Sequence, residues 1–177
     1  MNERVNIVWY VVQVVNGTED SAVEKCRQAI QTEIAPAIFT PKCQKLKKFA
    51  GTWQIVTDVL FSDYVFIEST VSSDILLEQL KRIPGTVTPV QIGGGFYPIR
   101  EDEELFLRAL MDEHGCIPLS TGHIMDGTLI IDDGPLDGKT EWVRRIDRHH
   151  RIAEIEIMLW SQVRWMKVGL EVTSKAG

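Results

Sequence analysis

Cysteine is scarce in this chain of 177 residues, and its three cysteines stand far apart, at Cys26, Cys43 and Cys116. No two of them have the C-x-x-C spacing of zinc sites and redox motifs, and an odd number excludes a fully paired disulfide framework. Reduced thiols in a cytoplasmic protein are therefore expected. A metal at His149 and His150 is not expected either, because adjacent residues of a strand point to opposite faces. The sequence predicts no metal and no cofactor.

Long apolar runs and an excess of positive charge are also missing. No run reaches the roughly 18 residues needed to cross a bilayer, and the apolar residues 7–15 precede no small-residue cleavage site. The net charge of −6 argues against a protein that coats nucleic acid non-specifically. No Walker loop or G-x-S-x-G is present, and the one close thiol–imidazole pair, Cys116 with His114, falls in a predicted linker. An enzyme is not expected.

The stretch V-L-F-S-D-Y-V-F-I-E at residues 59–68 is the strongest strand signal in the chain. Alternation places Tyr64 and Phe66 on one face and Val65 and Ile67 on the other. The aromatic face needs either a covering layer within the domain or a partner's helix. Around it the pattern predicts strands at 7–15 and 86–92, a hairpin at 42–57, and helices at 22–31, 74–81 and 99–112. The lysines of the hairpin, Lys42, Lys45, Lys47 and Lys48, form either a solvated tip or a contact with nucleic-acid phosphates.

The pattern changes after a joint rich in glycine, proline and serine at residues 114–122. Short strands, at 128–131, 140–146, 152–158 and 167–172, then follow one another across turn signals. About fifty residues of short strands fit a small closed barrel, which leaves no exposed sheet edge. The predicted organisation is a first domain at 1–113, a linker at 114–122 and a second domain at 123–177.

The densest basic cluster lies in the second domain, within R-R-I-D-R-H-H-R at residues 144–151. The planar guanidinium of arginine bonds phosphates and base edges in a bidentate manner, so a basic turn between strands favours binding of structured RNA. The alternative is a solvated loop whose arginines pair with Asp147, Glu154 or Glu156. The candidate RNA-binding residues are Arg144, Arg145, Arg148, His149, His150 and Arg151, with Lys139 and Lys167 as extensions.

The order of these segments resembles the NusG family of transcription elongation factors. The resemblance rests on W-Y-V-V at residues 9–12, L-F-S-D-Y-V-F-I-E at 60–68, I-P-G at 83–85 and P-I ahead of an acidic helix. Ser62 and Asp63 replace the family's usual Pro-Gly pair. The second half resembles a KOW domain through I-I-D-D-G-P-L-D-G at 130–138. Together with the basic cluster, this is most similar to the LoaP-type antiterminators.

The resemblance implies an α+β protein, with an NGN α/β sandwich followed by an SH3-like KOW β-barrel. It implies a monomeric, cytoplasmic factor that binds RNA polymerase and an RNA hairpin in an operon leader, without a membrane partner. An apolar cavity for the polymerase clamp helices would be lined by Phe61, Tyr64 and Phe66, with Trp9 and Tyr10 nearby.

Other functions stay open at this point. One is a general NusG-type elongation factor without specific RNA recognition, and another is a ribosome-associated KOW protein. A third is an RfaH-like switch whose second half first folds as helices. The many β-branched residues of that half, with Gly127, Gly134 and Gly138, favour a permanent barrel.

Overall fold

The computed structural model describes residues 6–176. The ends of the two predicted domains, residues 1–5 and 177, lie outside this range. The chain divides into two compact units. The first contains the chain up to Pro41 together with Phe61–Glu104, and the second contains Lys42–Leu60 together with the chain from Leu105 onward.

Within the described residues, three α-helices confirm the predicted helices, with ends that differ by one to four residues: α1 (Glu19–Ala29), α2 (Ser73–Leu80) and α3 (Glu101–Arg108). The strands in chain order are β1 (Val8–Gln13), β2 (Ala37–Phe39), β3 (Lys42–Phe49), β4 (Thr52–Val59), β5 (Tyr64–Ser69), β6 (Thr88–Pro89), β7 (Cys116–Ile117), β8 (Ser120–Met125), β9 (Thr128–Asp133), β10 (Val143–Asp147), β11 (Ile152–Leu159) and β12 (Gln162–Ala176). None of the described helices is both long and apolar enough to cross a membrane.

The first unit is built on a four-stranded antiparallel sheet with the order β2-β5-β1-β6. Val12 of β1 and Val65 of β5 are paired in register and are fully buried in one apolar core. Helices α1 and α2 contribute Cys26 and Leu76 to this core. Burial raises the pKa of the Cys26 thiol to about 11, so the thiol stays neutral and packs as an apolar group.

A turn interrupts the segment that the sequence predicts as one strand over residues 59–68. Strand β4 ends at Val59, β5 begins at Tyr64, and Asp63 between them has a positive φ of 73°. The turn is fixed by hydrogen bonds, since the backbone N–H of Asp63 donates to Oε1 of Glu19 and its carbonyl accepts from Val14 N–H. Burial would raise the pKa of Glu19, but the N–H groups that bond its carboxylate lower it below its ordinary value.

The second unit contains two sheets. A three-stranded sheet has the order β4-β3-β7, and a five-stranded sheet has the order β10-β11-β12-β8-β9, with β12 and β8 parallel. Along β11 every second residue is buried, from Ala153 to Leu159, and these residues pair with β12, where Met166, Val168 and Leu170 are buried. The five-stranded sheet is thus packed on one face, as alternation requires.

Several local features differ from the sequence predictions. The predicted linker contains β7 and the beginning of β8, and β2 is a further strand that the pattern does not reveal. The predicted strand at 140–146 begins with a 3₁₀ turn at Thr140–Trp142 before β10. Among the described residues, β10 and β9 are the two ends of the five-stranded order, and they are not paired with each other.

Candidate functional site

Four aromatic rings meet at the face of the first sheet opposite the one on which α1 and α2 pack. Ring centroids lie 5.3 Å apart for Trp9 and Phe39, 5.9 Å for Trp9 and Phe66, and 5.8 Å for Phe39 and Phe66. Phe61 stacks on Phe66 at 6.1 Å. We call Trp9, Phe39, Phe61 and Phe66 the aromatic cluster. Edge-to-face and offset pairs at such distances stabilise rings beyond their burial.

Glu68 fixes the orientation of the indole ring in this cluster. Trp9 and Glu68 are paired in register on β1 and β5, and the Nε1–H of Trp9 donates to Oε2 of Glu68 at 3.0 Å. Glu68 lies on the same face of β5 as Phe66. In the structure it is a hydrogen-bond acceptor for a tryptophan that is only 3% exposed.

The structure brings three of the five residues predicted to bind polymerase into the aromatic cluster: Trp9, Phe61 and Phe66. Tyr10 lies on the opposite face of β1, in the core against Phe96 at a centroid distance of 4.8 Å. Burial and the Asp74 carboxylate raise the pKa of the Tyr10 hydroxyl. Tyr64 is half-buried on the same strand as Phe66 and pairs with Gln13.

Phe39 is the member of the aromatic cluster that the sequence did not reveal. It belongs to a three-residue strand between Pro36 and Pro41, a setting that is typical of a loop. The pairing of Phe39 with Phe66 brings it into the cluster.

The basic turn between β10 and β11 is held by Asp147. Its Oδ1 accepts the backbone N–H of His150 at 2.9 Å, and its Oδ2 lies 2.7 Å from Nδ1 of His150. The His150 backbone N–H and then its ring lower the pKa of Asp147. Arg148 and His149 are left exposed at the tip of the turn, with the rings of His149 and His150 edge-on at 4.9 Å.

The other cations predicted to bind RNA differ in how far they are exposed and in which groups of the fold they contact. Arg145 and Lys167 are exposed and flank Glu154, at 3.9 Å and 3.7 Å. Arg144 is exposed at a β-bulge and donates to the Glu141 carbonyl at 3.3 Å. Lys139 is half-buried and donates to the carbonyls of Pro135 and Asp137.

Arg151 is the predicted RNA-binding residue whose guanidinium both stacks on a ring and forms an ion pair within the fold. Its guanidinium lies over the ring of Trp53 at 4.0 Å and forms an ion pair with Glu171. Trp53 is on the β3–β4 hairpin, so Arg151 connects that hairpin to the five-stranded sheet of the same unit. The planar guanidinium suits such stacking.

Comparison with known proteins places the chain in a family of transcription factors. The family model described as "Transcription termination factor nusG" matches residues 7–107, more than half of the chain. The chain belongs to the NusG family, whose members bind RNA polymerase and are not enzymes.

The fold agrees with this assignment. The chain is similar to the solved structure described as "Domain interaction in Thermotoga maritima NusG", with a TM-score of 0.51 and 17% sequence identity. The similarity covers 93% of this chain and 94% of that one. No curated protein matches the chain.

Proposed function

We propose that this chain is an operon-specific antitermination and elongation factor of the LoaP type. Its NGN domain, residues 1–113, binds RNA polymerase, and its KOW domain, residues 123–177, binds an RNA hairpin in the leader of the target operon. The linker is residues 114–122, which include the beginning of β8, and the five-stranded sheet, whose described end strands β9 and β10 are not paired, corresponds to the SH3-like barrel of the KOW domain. The observation that carries the proposal is the exposed basic turn of an acidic chain, centred on Arg148.

The aromatic cluster, with Tyr64 at its margin, is the proposed contact with the polymerase clamp helices. Large rigid rings are the side chains that dominate such helix-in-groove interfaces. Trp9, Phe61 and Phe66 are all less than a tenth exposed. Polymerase binding on this face therefore requires a rearrangement that exposes them. A ligand that binds the exposed state better shifts the population toward it.

The basic turn is the proposed contact with the leader RNA. Arg144, Arg145 and Arg148 are exposed, and His149 stands beside them at the tip. An A-form stem is recognised by its shape and its phosphates, which suits arginines on a rigid turn. Lys167 extends the turn across the sheet, whereas the guanidinium of Arg151 has its own partners in the fold. The factor acts as a monomer in the cytoplasm, without a membrane partner.

Single-round transcription through a terminator tests the proposal, on templates with and without the leader of the chain's own operon. We expect readthrough to rise only on the template with the leader. The variant Arg148→Ala is expected to abolish this increase, whereas Lys25→Ala, an exposed lysine of α1, is expected to leave it unchanged.

The second candidate is a general elongation factor, and the family match over residues 7–107 favours it because it lies mainly in the polymerase-binding half. An effect of equal size on both templates would support this candidate and make the basic turn a solvated surface. No effect on either template would contradict the polymerase-binding proposal.

A further inference from the structure

Two basic segments that are about a hundred residues apart in the sequence belong to the same compact unit: the end of the β3–β4 hairpin and the β10–β11 turn. We propose that they form one RNA-binding surface, on which the turn holds the stem of the hairpin RNA and the β3–β4 hairpin holds the single-stranded RNA next to that stem. This inference rests on the proposed function and adds a second contact to it.

The stack of Arg151 on Trp53 joins the two segments. Arg151 ends the basic turn, and its guanidinium lies 4.0 Å from the centroid of Trp53. Trp53 is paired directly with Lys48 in the β3–β4 register. Paired residues of an antiparallel ladder point to the same face, so Lys48 lies on the face of the hairpin that Arg151 contacts. The exposed Lys48 therefore lies on the same face of the hairpin as the ring that Arg151 contacts.

The base of the β3–β4 hairpin is fixed against the five-stranded sheet by close contacts. The Oε1 of Gln44 accepts the backbone N–H of Leu119 at 3.0 Å, and Sγ of Cys43 lies 3.7 Å from the carbonyl of Lys167. The backbone of Gln44 passes so close to Gly169 that a Cβ there would lie 2.3 Å from the Gln44 carbonyl oxygen. The hairpin is thus held at a defined position relative to the turn.

The side chains near the end of the hairpin suit single-stranded RNA better than a stem. Lys47 and Lys48 are exposed, and Phe49, the last residue of β3, is 49% exposed on the face opposite Lys48. Lys47 pairs with Asp58 at 2.9 Å, whereas Lys48 is paired in register with Trp53, the ring of the stack. Exposed aromatic rings next to cations bind unpaired bases by stacking and their phosphates by charge. A single strand can follow the end of the hairpin from Lys48 to Phe49 and offer a free base to the ring, which a paired stem cannot do.

The test uses the full-length protein and two fluorescein-labelled RNAs, a stem-loop and the same stem-loop with a single-stranded extension. Fluorescence anisotropy over a series of salt concentrations gives the affinity for each RNA and its salt dependence. We expect the extension to tighten binding, and Lys48→Gln to lower the slope of log K against log salt by about 0.7 for the extended RNA only. Lys25→Gln, an exposed lysine of α1, is the matched control and is expected to change neither RNA.

Trp53 is a positioning residue in this proposal, so its variants provide a test that does not alter charge. Trp53→Ala removes the ring on which Arg151 stacks, and this variant is expected to lose most of the affinity that the single-stranded extension adds. Trp53→Phe keeps an aromatic face and is expected to retain it. Melting curves of both variants show whether each is folded. Phe49→Ala removes an exposed ring instead of a half-buried one, so it is the second variant that tests the contact with the extension.

The possible outcomes distinguish the second RNA contact from the proposed function itself. Equal affinity of the wild-type protein for the two RNAs overturns the inference. A loss with Arg148→Ala on both RNAs, without an effect of Lys48→Gln, also overturns it and leaves the proposed function standing. If Arg148→Ala changes neither affinity, the proposed function fails as well. An extension of DNA that tightens binding as much as RNA contradicts the assignment to RNA.

Discussion

The hydrogen bond between Trp9 and Glu68 shows how one polar residue organises a buried aromatic cluster. The carboxylate fixes the indole by its N–H, and the ring then meets Phe39 and Phe66 edge-on. Without this acceptor the indole N–H of a buried ring would lose a charged partner. Glu68 therefore matters for the shape of the aromatic cluster, although it is not itself part of it.

Glu68→Ala is expected to lower the free energy of unfolding by about 1–2 kcal/mol, because it removes a charged acceptor from a half-buried setting. Urea unfolding measures the change. Glu68→Gln retains an acceptor oxygen at the same place and is expected to lose less. Equal stability of both variants and the wild-type protein would show that the hydrogen bond contributes nothing.

Glu19 makes stability depend on pH through the turn at Asp63. Its pKa in the folded protein is lower than its ordinary value of 4.5, so the carboxylate stabilises the fold above that pH and loses its contribution as the pH falls through the folded pKa. Urea midpoints of the wild-type protein and Glu19→Gln are expected to differ at neutral pH and to converge in acid. A difference that stays constant with pH would contradict this role.

At the scale of elements, the spacing of apolar residues was sufficient to predict a helix or strand where that element buries one face over several residues. The three helices and the long strands β1, β3, β4, β11 and β12 were predicted for this reason. The two- and three-residue strands β2 and β7 were not, because pairing with β5 and β3 creates them and their own residues carry no pattern. The same reason hid Phe39 from the predicted site.

The close approach between β3 and β12 predicts the effect of one added methyl group. Gly169→Ala would place Cβ 2.3 Å from the Gln44 carbonyl oxygen, so the strands must shift. We expect a loss of about 1–3 kcal/mol in urea unfolding. Gly138→Asn is the control, since nothing lies within 4 Å of that position and asparagine tolerates a positive φ. Similar stability of the two variants would contradict the close contact.

At the scale of the whole molecule, the chain order and the compact units do not coincide. Residues 42–60 lie early in the sequence, yet they belong with the chain from Leu105 onward. Local pattern could not reveal this, because the contacts that decide it, such as Arg151 on Trp53, join residues far apart in the sequence. The charged side chains of the basic turn were predicted, and so was Glu154 as a partner of its arginines, but the contacts of Arg151 with Trp53 and Glu171 were not.

Native-state hydrogen exchange tests this grouping. The backbone amides of β3, such as Leu46, are expected to open together with those of β12, such as Leu170, and not with those of β1. Gly169→Ala is expected to lower protection in β3 and to leave β1 unchanged. Exchange of β3 in step with β1 would assign the hairpin to the first unit.

The position of Gln44 against Gly169 has a consequence for exchanging parts between members of the family. A chimera that joins residues up to 113 to the second half of another member would separate the β3–β4 hairpin from the strand against which it fits. The donor strand would need a glycine where Gly169 stands, and a stacking arginine where Arg151 stands. Residues 42–60 should therefore be exchanged together with the second half, as two separate segments taken from the same donor.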